Sequence, residues 1–151
     1  MSMNTIPAIA SELAEGALQL ESEHWVHVPL GGHRELRLLR NEHGSRIVAV
    51  IAQEPMKRAP AEDEALHTAL LLLGAETRWT EGFLGGIDDN GSACIAVTLN
   101  EPCHAQQVEE ILGRMLERLV AICEAACNGA SGFMTGKGGA TSQPSFTWGL
   151  P

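Results

Sequence analysis

The segment Arg46–Ala52 limits the possible folds more than any other part of the chain. Ile47 and Ile51 fall on one side of an extended backbone, and Val48 and Val50 fall on the other. Branched aliphatic residues on both faces mark a strand at the centre of a sheet, with a neighbour on each edge. Two partners precede it. His24–Leu30 alternates His24, Val26, Val28 and Leu30 with Trp25 and His27, and Gly31-Gly32 breaks the run. Glu35–Arg40 sets Leu36 and Leu38 against Glu35, Arg37 and Leu39. Asn41-Glu42-His43-Gly44 supplies turn residues before the central strand. Together the three segments read as an antiparallel meander.

Helical periodicity brackets that meander. Ile6, Ile9, Leu13, Ala17 and Leu20 recur every three or four residues over Thr5–Leu20, with Pro7 in the first turn where its missing N–H is not needed. After Pro55 and Pro60, Glu62, Asp63 and Glu64 oppose the positive end of a helix dipole. That helix is expected to run to Leu73 and to cap on Gly74. Leu66, Ala69, Leu70 and Leu73 form one face, and Leu71 and Leu72 fall outside it. A helix that is apolar nearly all round needs cover on two sides. Phe83–Ile87 and Ala93–Leu99 then flank Asp88-Asp89-Asn90-Gly91, a hairpin signal. The last helix spans about His104–Ala126, with Val108, Leu112, Met115, Leu119, Ile122 and Ala126 as its stripe, widened by Ile111, Leu116 and Val120. The width of the stripe favours packing across a sheet over a coiled coil. The order α-β-β-β-α-β-β-α gives an α+β domain, a twisted antiparallel sheet covered by helices.

The chain has 151 residues, the size of one domain. All 19 acids lie before residue 128, and from Asn128 to Pro151 the only charged residue is Lys137. The division expected is a single domain over 1–127 and a flexible Gly/Ser-rich tail over 128–151, in which Phe146 and Trp148 stand out. The net charge of −9 argues against nucleic acid, whose phosphates call for a basic surface, and against docking on anionic lipid. The longest apolar run, Ala69–Leu73, falls far short of the roughly 20 residues that span a bilayer. Met1–Ala10 lacks the basic start of a secretory signal. The four cysteines, Cys94, Cys103, Cys123 and Cys127, are therefore expected as reduced thiols.

Chemistry finds little foothold. Gly129–Gly138 resembles a phosphate loop only loosely, because Gly138 stands where Ser or Thr is required and no strand precedes it. Cys123 and Cys127 are one helical turn apart, but structural zinc wants four ligands in spaced pairs. His24 and His27 project to opposite faces of a strand. No Gly-x-Ser-x-Gly elbow is present. No catalytic residue, metal or cofactor is assigned. Apolar surface is the stronger signal. The helix through Leu73 is followed closely by Trp79, Phe83 and Leu84, and the Ile9/Leu13 face lies beside a strand carrying Trp25 and Val28.

One stretch reads Ala65-Leu66-His67-Thr68-Ala69-Leu70-Leu71-Leu72-Leu73-Gly74, then Trp79, then Gly82-Phe83-Leu84-Gly85-Gly86-Ile87-Asp88 and Cys94-Ile95-Ala96-Val97-Thr98-Leu99. With the element order, size and acidity, it resembles the class I type III secretion chaperones, the Tir-chaperone family, over residues 5–127. The resemblance implies an acidic homodimer in the bacterial cytoplasm that is not an enzyme. It implies that the dimer holds an N-terminal segment of a secreted effector extended and secretion-competent. By position, the family's dimer contact falls on Leu70, Leu71, Leu72, Trp79, Phe83 and Leu84. Its cargo groove falls on Ile9, Leu13, Val26, Val28, Leu36, Leu38 and Val48. A regulatory adaptor of the same fold, without a link to secretion, is the first alternative, and a small zinc or thiol protein is the second.

Overall fold

The computed structural model describes residues 2–16, 18, 20, 23–41 and 46–135, and side chains within 5–128 of these. Eight elements follow in chain order: α1 (Ser2–Glu15), β1 (Val26–Gly31), β2 (Arg34–Arg40), β3 (Arg46–Gln53), α2 (Pro60–Thr77), β4 (Leu84–Ile87), β5 (Ala93–Asn100) and α3 (Ala105–Thr135). The strands form one antiparallel sheet in the order β1-β2-β3-β5-β4. β3 is central, as its two apolar faces require. The edges are β4, which is four residues long, and β1, which carries Pro29.

Side chains opposite one another across antiparallel strands share a face. On the inner face Val28, Leu36, Ile51 and Ile95 line up in one row, and Val26, Leu38, Ala49 and Val97 in the next. Leu36, Leu38, Ile51 and Ile95 are wholly buried. α3 lies over β3 and β5 on this face, with α1 and α2 packed against it. Val108, Leu112, Met115 and Leu119 of α3 are buried, so the wide stripe serves a sheet and two helices rather than a coiled coil. Each fully buried Leu, Ile or Phe contributes about 1.5–3 kcal/mol relative to an exposed one.

Several boundaries differ from the sequence reading, each for a local reason. α1 starts at Ser2 and ends at Glu15, so Pro7 lies inside the helix rather than in its first turn. Gly16, with φ of +71°, turns the chain out where the periodicity had continued to Leu20. Leu20 is buried all the same, and Ala17 lies outside the described residues. α2 passes through Gly74 to Thr77. The exit past the Arg78 C-cap is held by the buried Thr77. Its carbonyl accepts the N–H groups of Thr80 (3.1 Å), Glu81 (2.8 Å) and Gly82 (2.6 Å), and its hydroxyl oxygen accepts the Phe83 N–H (3.0 Å). Gly82, with φ of +69°, is the left-handed residue that Gly74 was expected to be. At the other end of α2, Pro60 opens the helix, and the Glu62 carboxylate turns back to accept the Ala59 N–H (3.0 Å). α3 continues through Thr135, past the boundary expected at residue 128, because Gly129 and Gly132 cost a helix only about 1 kcal/mol each and do not end it. The rest of the expected tail, with Phe146 and Trp148, and residues 42–45 of the expected turn lie outside the described residues.

Candidate functional site: the bare face of the sheet

The three helices of the described residues all pack on the inner side, so none of them lies over the outer side of the sheet. Its central row runs His27, Arg37, Val50, Ala96 and Leu84 across the five strands. The next row toward the β4–β5 turn holds Glu35, Ala52, Cys94 and Gly86. The middle of these rows is small where the inner face is large. Alternation along β5 puts Ile95 and Val97 inward and Cys94 and Ala96 outward. The result is an open trough of about 540 Å³. Val50, Cys94, Ala96 and Gly86 floor it. Leu84 stands on one side, and Trp25, His27 and Arg37 on the other. Leu84 and Trp25 are exposed, and with the apolar floor they line one shared trough, the kind of patch that marks an interaction site.

One end of the trough is polar. Arg37 donates from Nε to Glu35 Oε2 (2.6 Å) and from Nη1 to Asp88 Oδ2 (2.9 Å). His27 Nδ1 lies 3.2 Å from the same Glu35 oxygen. Asp88 also folds its own turn, its Oδ1 accepting the N–H groups of Asn90 (2.9 Å) and Ser92 (2.8 Å). Burial pushes the Asp88 carboxyl up, but the Ser92, Arg37 and Asn90 hydrogen bonds outweigh it and hold the group below its ordinary value. Glu35 is lowered in the same way, its burial opposed by Arg37 and His27. The Arg37 guanidinium is correspondingly raised against its own burial. Asp89 is exposed at this end, and no cation pairs with it among the described residues.

The floor offers no nucleophile. Burial, with Asp88 close by, pushes the Cys94 thiol up to about 11, so it stays protonated and uncharged at neutral pH. Burial likewise raises Cys103 and Cys123. Among the described residues, no group of three or more His, Cys, Asp or Glu side chains is arranged to hold a metal ion. No helix there is long and apolar enough to cross a membrane.

Six of the seven residues expected to form a cargo groove come together in the core rather than on a surface. Ile9, Leu13, Leu36 and Leu38 are buried in the core, and Val26 and Val28 pack against it from the inner face. Only Val48 looks outward, one strand period from Val50. Alternation had put Val26, Val28, Leu36 and Leu38 together correctly, but on the side that the helices take. The expected dimer contact also divides. Leu70 and Phe83 are core residues, at 1% exposure each. Leu71, Trp79 and Leu84 are exposed, and Leu72 is half-buried. Leu71 stands one turn from Gly74 on α2, and the Leu84 side chain lies beside Gly74. The Arg78 guanidinium stacks over the Trp79 ring at 5.2 Å. Sequence reasoning missed Trp25, Val50 and Ala96 as parts of one surface. Their signal was the small outward register of Ala93–Leu99, which becomes legible only once β5 is known to lie beside β3.

No family model matches the sequence, and no curated protein matches it. Solved structures do. A chain of the HopA1-SchA chaperone-effector complex aligns with a TM-score of 0.54 at 16% identity, covering 82% of this chain and 94% of that one. A chain of the heterodimeric ExoU-SpcU complex from the type III secretion system of Pseudomonas aeruginosa aligns with a TM-score of 0.51 at 16% identity, covering 77% and 95%. A chain of the ExsC-ExsE complex aligns with a TM-score of 0.50 at 17% identity, covering 78% and 89%. The chain therefore shares the α+β fold of these chains from chaperone–effector and type III secretion complexes.

Proposed function

We propose that this chain is a chaperone without enzymatic activity, which holds an N-terminal segment of a type III secreted effector extended across the bare face of its sheet. The observation that carries this reading is the one-sided cover of the sheet. Helices seal the inner face, and the outer face keeps an apolar trough with Trp25 and Leu84 exposed above it. An extended segment can press alternate side chains into such a surface. The likeness to chains from chaperone–effector and type III secretion complexes supports the same reading. In it, the chain works in the bacterial cytoplasm as a homodimer. The two copies meet through Leu71 and Trp79, the exposed residues of the expected contact that do not line the trough. The acidic charge keeps this apolar surface soluble.

The test is to isolate the tagged full chain from its own source organism, identify what accompanies it, and digest the complex lightly. A protected stretch near the N-terminus of an exported protein is the expected result. A partner that resides in the cytoplasm would move the assignment to a regulatory adaptor of the same fold.

A further inference from the structure

We infer that the trough selects its occupant by chemistry, taking a large apolar side chain beside a lysine or arginine of the extended segment. The inference rests on the reading above and adds which segments that surface accepts. Two features of the trough carry it. The first is shape: Val50 and Ala96 leave a low floor between Trp25 and Leu84, with room for one large apolar side chain. The second is charge: Arg37 is already taken up by Glu35 and Asp88, so it cannot balance Asp89. The polar end of the trough therefore carries an excess of acid, in a chain whose net charge is already −9. A cation is attracted there, and an acidic side chain is repelled.

Spacing ties the two features together. The Leu84/Ala96 row and the Gly86/Cys94 row are one strand period apart, and Asp88 and Asp89 follow directly after β4. In an extended occupant, side chains two positions apart share a face and are separated by about 7 Å. An apolar residue over Ala96 therefore places the residue two positions on over Cys94, beside Gly86, and a lysine stem reaches from there toward Asp89.

Labelled peptides on one Ser/Gly scaffold test this, titrated with the full chain by fluorescence anisotropy. One carries Leu and Lys two positions apart, one has Glu for Lys, and one has Ser for Leu. The Leu/Lys peptide is expected to bind tightest. Asp89→Asn is expected to weaken it about threefold, the worth of one solvent-exposed ion pair, and to remove most of the preference for Lys over Glu. Ala96→Phe fills the floor and is expected to cost about tenfold or more, and Val50→Ser provides a second variant that does not add bulk. Amide spectra of the full chain should shift at Trp25, Val50 and Ala96. Equal affinity for the Lys and Glu peptides overturns the inference, as does binding that ignores Ala96→Phe and Val50→Ser. If no peptide binds while the full chain still protects a segment of an exported protein, the inference falls and the chaperone reading stands. If neither occurs, both fall.

Discussion

The two faces of the sheet are made by the same strands, yet they obey different rules. On the inner face the rows hold Leu36, Leu38, Ile51 and Ile95, all closed to water. On the outer face the matching positions hold Arg37, Val50, Ala96 and Cys94, over which no helix of the described residues lies. Volume and continuity separate the faces more than hydrophobicity does, since Val48 and Val50 are as apolar as their inward neighbours. One face is closed to water, and in a close-packed protein interior each methylene counts. The other keeps space between tall walls, and its stability depends little on what fills that space.

Adjacent residues test this contrast most directly. Phe83→Ala removes a core side chain and should cost about 3–5 kcal/mol in urea denaturation. Leu84→Ala, one residue on and exposed, should change stability by about 0.5 kcal/mol or less. Equal losses at the two positions would erase the distinction between the faces. Next in size is the proposed contact between copies. Leu71→Glu together with Trp79→Ser should leave the fold intact and weaken dimers by about 2 kcal/mol or more, read by analytical ultracentrifugation. A dimer of unchanged strength would place the contact elsewhere. Phe83 is the wrong position for that test, because a charge there would unfold the protomer.

Gly85 comes third. A Cβ on it would stand 2.5 Å from the Leu70 carbonyl oxygen, so β4 rests backbone to backbone on α2. Gly85→Ala should cost about 1–3 kcal/mol by overpacking, whereas the same change at Gly86, which has open space, should cost much less. The smallest effect concerns acid. Asp88 and Glu35 titrate lower in the folded chain than in the unfolded one. Their support is therefore present above the unfolded carboxylate pKa and is lost as pH falls through the folded values. Arg37→Met should cost about 1 kcal/mol or less at pH 7 and flatten the acid limb of the stability curve.

The sequence revealed most of the architecture, because period-2 and period-3.6 patterns dictate which residues share a face. Alternation placed Leu36 with Leu38 and Ile47 with Ile51, and the helical stripe set Leu71 apart from Leu66, Leu70 and Leu73. It could not say which face of the sheet the helices would take, since β3 is apolar on both. That gap is why the expected groove drew Leu36 and Leu38 from the core. The network of His27, Glu35, Arg37 and Asp88 was equally hidden. Arg37 and Asp88 are far apart in the chain and meet only through the order of five strands.

A sheet with one face left open must also keep its edges from pairing with other chains. Pro29 in β1 has no N–H to offer a further strand, and β4 is short and built around two glycines. Neither edge is a good template for growth. The same chain can thus leave apolar side chains uncovered without inviting copies of itself to stack into fibrils, and a partner's specificity falls to side chains rather than to the backbone ladder.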